Sequence, residues 1–134
     1  MSSKELATEG LWKNADEYVD KAESVFRDSK TEISTTKLRN LMSLVSEMRN
    51  MERQNNGREL LPQTATKIAM MRVRLAYECG RDNAVKAFVQ KAELTEYLKK
   101  IHNSRENLEQ FANYMEALVA FQRYYSADKN REGE

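Results

Sequence analysis

Residues 33–50 read ISTTKLRNLMSLVSEMRN. Leu38, Leu41, Met42, Leu44, Val45 and Met48 recur at intervals of three and four, and Met51 extends the row, so they share one broad apolar face. Arg39, Ser43, Ser46, Asn50 and Arg53 fall on the opposite face, with Arg49 on its border. The spacing predicts a helix over about 34–53, opened by Ser34, Thr35 or Thr36, whose hydroxyls suit the free N–H groups of a first turn. Lys37 and Arg39 stand in that turn, where the helix carries partial positive charge and a cation costs roughly a few tenths of a kcal/mol. Acidic residues belong there, and none is present.

Helical periods extend to both sides of this segment. Toward the N-terminus, Asn14 is a candidate cap for a helix whose stripe is Ala15, Tyr18, Val19, Ala22, Val25 and Phe26 and which ends near Asp28. Residues 1–10 lack a period and read as a flexible start. Toward the C-terminus, Asn55-Asn56-Gly57 is a turn, and Pro62 suits the first position of a third helix. Gly80, free to become left-handed, is its expected stop. Ile68, Ala69, Met70, Met71, Val73, Leu75, Ala76, Tyr77 and Cys79 are spread so widely around this helix that it is expected at the centre of the fold. Asp82 or Asn83 opens a short helix through Gln90, and another runs over about 93–102. Asn103 and Glu106 form a capping box for a last helix over about 104–126. Its core face is Leu108, Phe111, Ala112, Met115, Leu118 and Val119, widened by Tyr114, Phe121 and Tyr125. The fold class is therefore all-α, a compact bundle of about five helices forming one domain over 11–127, followed by a flexible tail over 128–134.

With 134 residues there is room for one core, and one proline with four glycines favours long helices. Cys79 is the only cysteine, so no internal disulfide can form and a reducing cytoplasm is the expected setting. The longest apolar run, Ala117 to Phe121, is far too short to span a bilayer, and the N-terminus lacks the apolar core of a signal peptide. His102 has no second histidine or cysteine to share a metal with and reads as a capping or surface residue. Cys79 reads as a small core hydrophobe, and the seven methionines as packing groups. No glycine-rich phosphate loop, nucleophile elbow or paired carboxylates occur, so neither an enzyme nor a cofactor is expected.

What remains is charge. The net charge is only +1, but residues 1–32 carry −3, residues 33–91 carry +6 and residues 92–134 carry −2. A basic middle between acidic ends suggests a positive surface facing an anion. Arg39, Arg49 and Arg53 flank the second helix, Lys67, Arg74 and Arg81 recur every seven residues on the third, and Arg58 lies in the connecting loop. If the two helices are antiparallel neighbours, these sets merge into one band, and Lys37 and Arg39 deepen an anion site at a helix start. Arg72, between Ile68, Leu75, Ala76 and Cys79, must find a carboxylate, reach solvent or meet a ligand.

The segments ISTTKLRNLMSLVSE (33–47), MRVRLAYECGRDNAVKAFVQKAEL (71–94) and SRENLEQFANYMEALVAFQRYY (104–125) resemble the small subunit of Csm-type, type III-A CRISPR effector complexes, and the similarity covers roughly residues 15–128. The resemblance implies a non-catalytic helical bundle acting in antiviral defence. Copies of it would stack as a filament beside a second filament of crRNA-binding subunits that carry the RNase activity. A large polymerase-like subunit would cap the assembly. The small subunit would hold the crRNA–target RNA duplex, mainly by its target strand, through basic residues. The matching segments contain Lys37, Arg39, Arg72, Arg74 and Arg81, whereas Arg49, Arg53, Arg58 and Lys67 rest on helix geometry alone. The competing expectation is a scaffold whose cations meet acidic surfaces of neighbouring subunits.

Overall fold

The computed structural model describes residues 10–28 and 31–133, with side chains described through Ser126. Most of the stretch expected to form a flexible start lies outside the described residues, as do the side chains of the expected tail. Six helices make up the fold among the described residues: α1 (Ala15–Arg27), α2 (Thr35–Met51), α3 (Pro62–Arg81), α4 (Asn83–Ala92), α5 (Leu94–Lys99) and α6 (Arg105–Gly133). The all-α expectation holds.

The caps explain the helix starts. Asn14 accepts from the Glu17 N–H at 3.0 Å, and Ser34 accepts from the Lys37 N–H at 3.1 Å. Pro62 occupies the first position of α3, as expected. Gly80, however, is not left-handed and lies within α3. The helix instead stops at Asp82, which turns extended (φ −143°) and accepts from the Ala84 and Val85 N–H groups to start α4. A side-chain acceptor that ends one helix and begins the next removes the need for a glycine stop. The break between α4 and α5 is left-handed, at Glu93 (φ 58°). The last helix is opened by Ser104 rather than Asn103: the Ser104 hydroxyl accepts from the Asn107 N–H at 3.1 Å. Asn103 (φ 68°) and His102 (φ 53°) are the left-handed residues of the turn before it. The backbone of α6 also continues to Gly133, beyond the expected end.

The buried axis is α6, not α3. Leu108, Phe111, Ala112, Tyr114, Met115 and Leu118 are buried along α6, and both α1 and α2 pack on it. Tyr114 donates its hydroxyl to the Ala92 carbonyl at 2.8 Å, and its burial pushes the phenol far above the usual range. Trp12 stacks against Tyr97 and Tyr114 with centroids 4.4 and 4.9 Å away. Gln110 accepts from the Leu11 and Trp12 N–H groups and donates to the Trp12 carbonyl, which holds the segment before α1 against α6. From α1, Ala22, Val25 and Phe26 reach the core, and from α2, Leu38, Leu41, Val45 and Met48 do. By contrast α3 packs on α4, α2 and α5 from the outside. It buries Thr64, Ile68, Met71 and Leu75, but Met70, Val73 and Tyr77 are 56–60% exposed. The central position expected of α3 is thus incorrect, because its second apolar face has no partner among the described residues.

Two substitutions separate these faces. Leu75→Ala should destabilise the protein by about 2–5 kcal/mol, whereas Val73→Ala, two residues away, should stay within about 0.5 kcal/mol of wild type in urea melts.

Candidate nucleic-acid interface

The helices α2 and α3 are antiparallel neighbours. Lys37, Asn40 and Leu44 face Arg81, Glu78 and Arg74 across an open groove of about 230 Å³, and further along Lys67 pairs with Glu47 at 3.1 Å. The condition set by the sequence is met, but the single basic band does not form. Twelve residues separate Lys37 from Arg49, which at 3.6 residues per turn sets them about 120° apart around α2. The buried face of α2 lies between these directions. Its cations therefore leave along two seams, one shared with α3 and one with α6.

The α2/α3 seam gathers Lys37, Arg74 and Arg81. The three come from two helices, and two carboxylates sit among them. Glu78 receives the Arg74 Nε at 3.0 Å and has Arg81 at 3.8 Å, while Lys37 donates to Asp82. The Lys37 ammonium, followed by the Ala84 and Val85 N–H groups, holds the Asp82 carboxyl below its usual range, against the opposing effect of burial. This contact answers the problem of a cation in a helix first turn. Lys37 ties the start of α2 to the cap of α4, 45 residues away, and so does more than repel its own backbone. Arg39, in the same turn, is exposed and forms no ion pair among the described residues.

On the α2/α6 seam the border residue Arg49 is half-buried and committed to the fold. It bridges Glu116 at 2.6 Å and Glu109 at 3.0 Å, and the hydrogen bond it donates to Glu116 leads the effects that raise its pKa. Arg53 and Arg58 line adjoining hollows with Arg49, and neither forms an ion pair among the described residues. Lys67 lies further along the α2/α3 seam, beside Met70 and paired with Glu47 of α2. Arg72 is exposed and unpaired among the described residues, so the buried ion pair considered for it is not made and its guanidinium reaches solvent. It stands about 160° around α3 from Arg74, away from the groove.

Arg105 escaped the sequence reading, and no spacing marks it. It lines both hollows beside Arg49, donates to the Gly57 carbonyl at 2.9 Å and lies 3.4 Å from Glu52. Glu52 is buried, caps α2, and accepts from the Asn55 amide at 2.6 Å and the Leu61 N–H at 3.0 Å. Burial alone would push this carboxyl up. The Thr64 hydroxyl, the Leu61 N–H, the Asn55 amide and Arg105 outweigh it and hold the group below its usual range. A backbone bridge between Glu59 and Ser104 completes the attachment of the Arg58 loop to the start of α6. Cys79 is half-buried with its thiol pushed up, chiefly by burial, and His102 is exposed. No described helix is long and apolar enough to cross a membrane.

Comparison with known proteins gives a consistent result. A family model described as Csm2 Type III-A matches residues 12–128. A relative named CRISPR system Cms protein Csm2 in Mycobacterium tuberculosis is 39% identical over 113 residues, covering 81% of this chain and 91% of the relative. The protein of that name in Streptococcus thermophilus is 37% identical over 114 residues, covering 81% and 90%, and that in Enterococcus italicus is 27% identical over 95 residues, covering 69% and 68%.

Because the folded Glu52 carboxyl lies below its ordinary value of about 4.3, its contribution is complete above that pH and is lost as pH falls through the folded value. Glu52→Gln should therefore cost about 1–3 kcal/mol at pH 7. In denaturant melts across pH, the gap from wild type should close below about pH 4.

Proposed function

This chain belongs to the Csm2 type III-A family, and on that premise we propose that it is a non-catalytic subunit that holds RNA by its phosphates at the α2/α3 groove of a cytoplasmic CRISPR ribonucleoprotein. The observation that carries this reading is the convergence of Lys37, Arg74 and Arg81 from two antiparallel helices. Their partners do not preclude it. Pairs this exposed are worth at most about 1 kcal/mol, and a guanidinium has five N–H donors, of which Arg74 spends one on Glu78. A phosphate can share these donors or displace Glu78.

Three cations against two carboxylates leave one groove with little net charge, and the whole chain has only +1. Affinity for RNA then comes from repetition. Copies stacked as a filament align many weak grooves along one polyanion, and each adds to the others without new contacts. The crRNA–target duplex, and mainly its target strand, is the ligand proposed, beside the crRNA-binding subunits and the large polymerase-like subunit. Sequence is read by base pairing, and this chain contributes charge and shape. Arg39, Arg53, Arg58 and Arg72, exposed and unpaired among the described residues, are available to neighbouring phosphates, whereas Arg49 serves α2/α6 packing and Lys67 serves the α2/α3 contact.

The test is a salt titration of target binding by the assembled particle. Changing Lys37, Arg74 and Arg81 to Ala should flatten the slope of log affinity against log salt by about two to three per engaged copy. Glu78→Gln, which frees both guanidiniums, should tighten binding. An unchanged slope and affinity in the triple variant contradicts the assignment.

A further inference from the structure

Along the exposed side of α3 the residues Lys67, Met70, Arg74, Tyr77 and Arg81 follow one another at steps of three and four. They form one stripe in which cationic and apolar side chains alternate, each kind recurring about every 10.5 Å. The Tyr77 ring is 60% exposed, and the Arg81 guanidinium lies over it, 5.4 Å from its centroid. The Arg81 guanidinium makes no hydrogen bond among the described residues and lies between this ring and Glu78, 3.8 Å away. Met70 and Val73 border the ring and are equally open to solvent.

We propose that Tyr77 is a stacking platform for a nucleobase of the target strand where that strand is unpaired from the crRNA, its phosphates being held by Lys37, Arg74 and Arg81, an inference that rests on the function proposed above. The reasoning is one of complementarity. A nucleotide strand repeats an anion and a flat apolar ring in each unit, matching a stripe that alternates guanidinium and apolar surface. A paired duplex offers its phosphates but keeps its base faces inside the stack. Every base has a π-face, so stacking adds affinity without sequence preference. A protein partner would have to supply carboxylates at the same interval while covering Met70, Val73 and Tyr77. Arg74 and Arg81 flank the ring along the stripe, and cations at that spacing favour the polyanion.

The probe is a single-stranded oligoribonucleotide carrying 2-aminopurine, compared with its fully paired duplex, using the full-length chain both free and in the assembled particle at low salt. The wild type should quench the probe in the single strand more than in the duplex. Tyr77→Phe should preserve the quench. Tyr77→Leu, at an exposed position whose folding is checked by circular dichroism, should abolish it and weaken single-strand binding by about 5- to 150-fold. Wild-type quench and affinity in Tyr77→Leu would overturn the platform. So would the absence of quench in the wild type, free or assembled, or a Tyr77→Leu defect confined to self-association or subunit assembly. The Lys37, Arg74 and Arg81 triple variant keeps the two claims apart. If it loses binding while Tyr77→Leu does not, the phosphate site stands and the stacking platform fails. If both bind normally, both readings fail.

Discussion

The rotational setting of α2 governs everything that its charged side chains can do. Leu38, Leu41, Val45 and Met48 are buried, and each such side chain is worth about 1.5–3 kcal/mol over its exposed state. Together they far outweigh the few tenths of a kcal/mol that a cation in the first turn costs. Packing therefore decides the orientation, and the cations go where it sends them. Lys37 emerges beside α3 and α4, Arg49 beside α6, and Arg39 and Arg53 on the solvent side between.

The two seams that result differ in kind. Beside α6, Arg49 answers Glu109 and Glu116 and fastens one helix to another. Just beyond the end of α2, the buried Glu52 holds the loop of Asn55 to Leu61 against Arg105. These are constructional charges. Beside α3 the cations are more exposed, share too few carboxylates and leave most of their donors unspent. An anion can enter there without dismantling the core. The same seam continues onto an apolar strip left open among the described residues, Met70, Val73 and Tyr77.

Much of this was legible in the residues. Periodicity identified the helices, and Asn14, Ser34 and Pro62 marked where three of them begin, because caps act within one turn. Where the reading went astray, the deciding contact lay elsewhere. Gly80 looked like a stop because nothing local showed that Asp82 would end α3 by capping α4. Asn103 looked like a cap, but the turn required it to be left-handed and gave the role to Ser104. α3 looked central because its apolar residues spread widely around the axis, but among the described residues only one side of it is covered. The pairing of Lys37 with Asp82, and of Arg49 with two residues of α6, joins positions dozens apart, so spacing could not separate structural cations from available ones. The similarity to a known family supplied the lineage, which no pattern of charges could.

RNA is proposed to meet this chain along the α2/α3 seam. Ultraviolet crosslinking of the assembled, target-bound particle, followed by mass-spectrometric mapping of nucleotide adducts, examines that claim at residue level. The account predicts adducts concentrated in the peptides that carry residues 37–44 and 74–81. Adducts confined to α1 or to the outer face of α6, or protein–protein links alone at the seam, would contradict it.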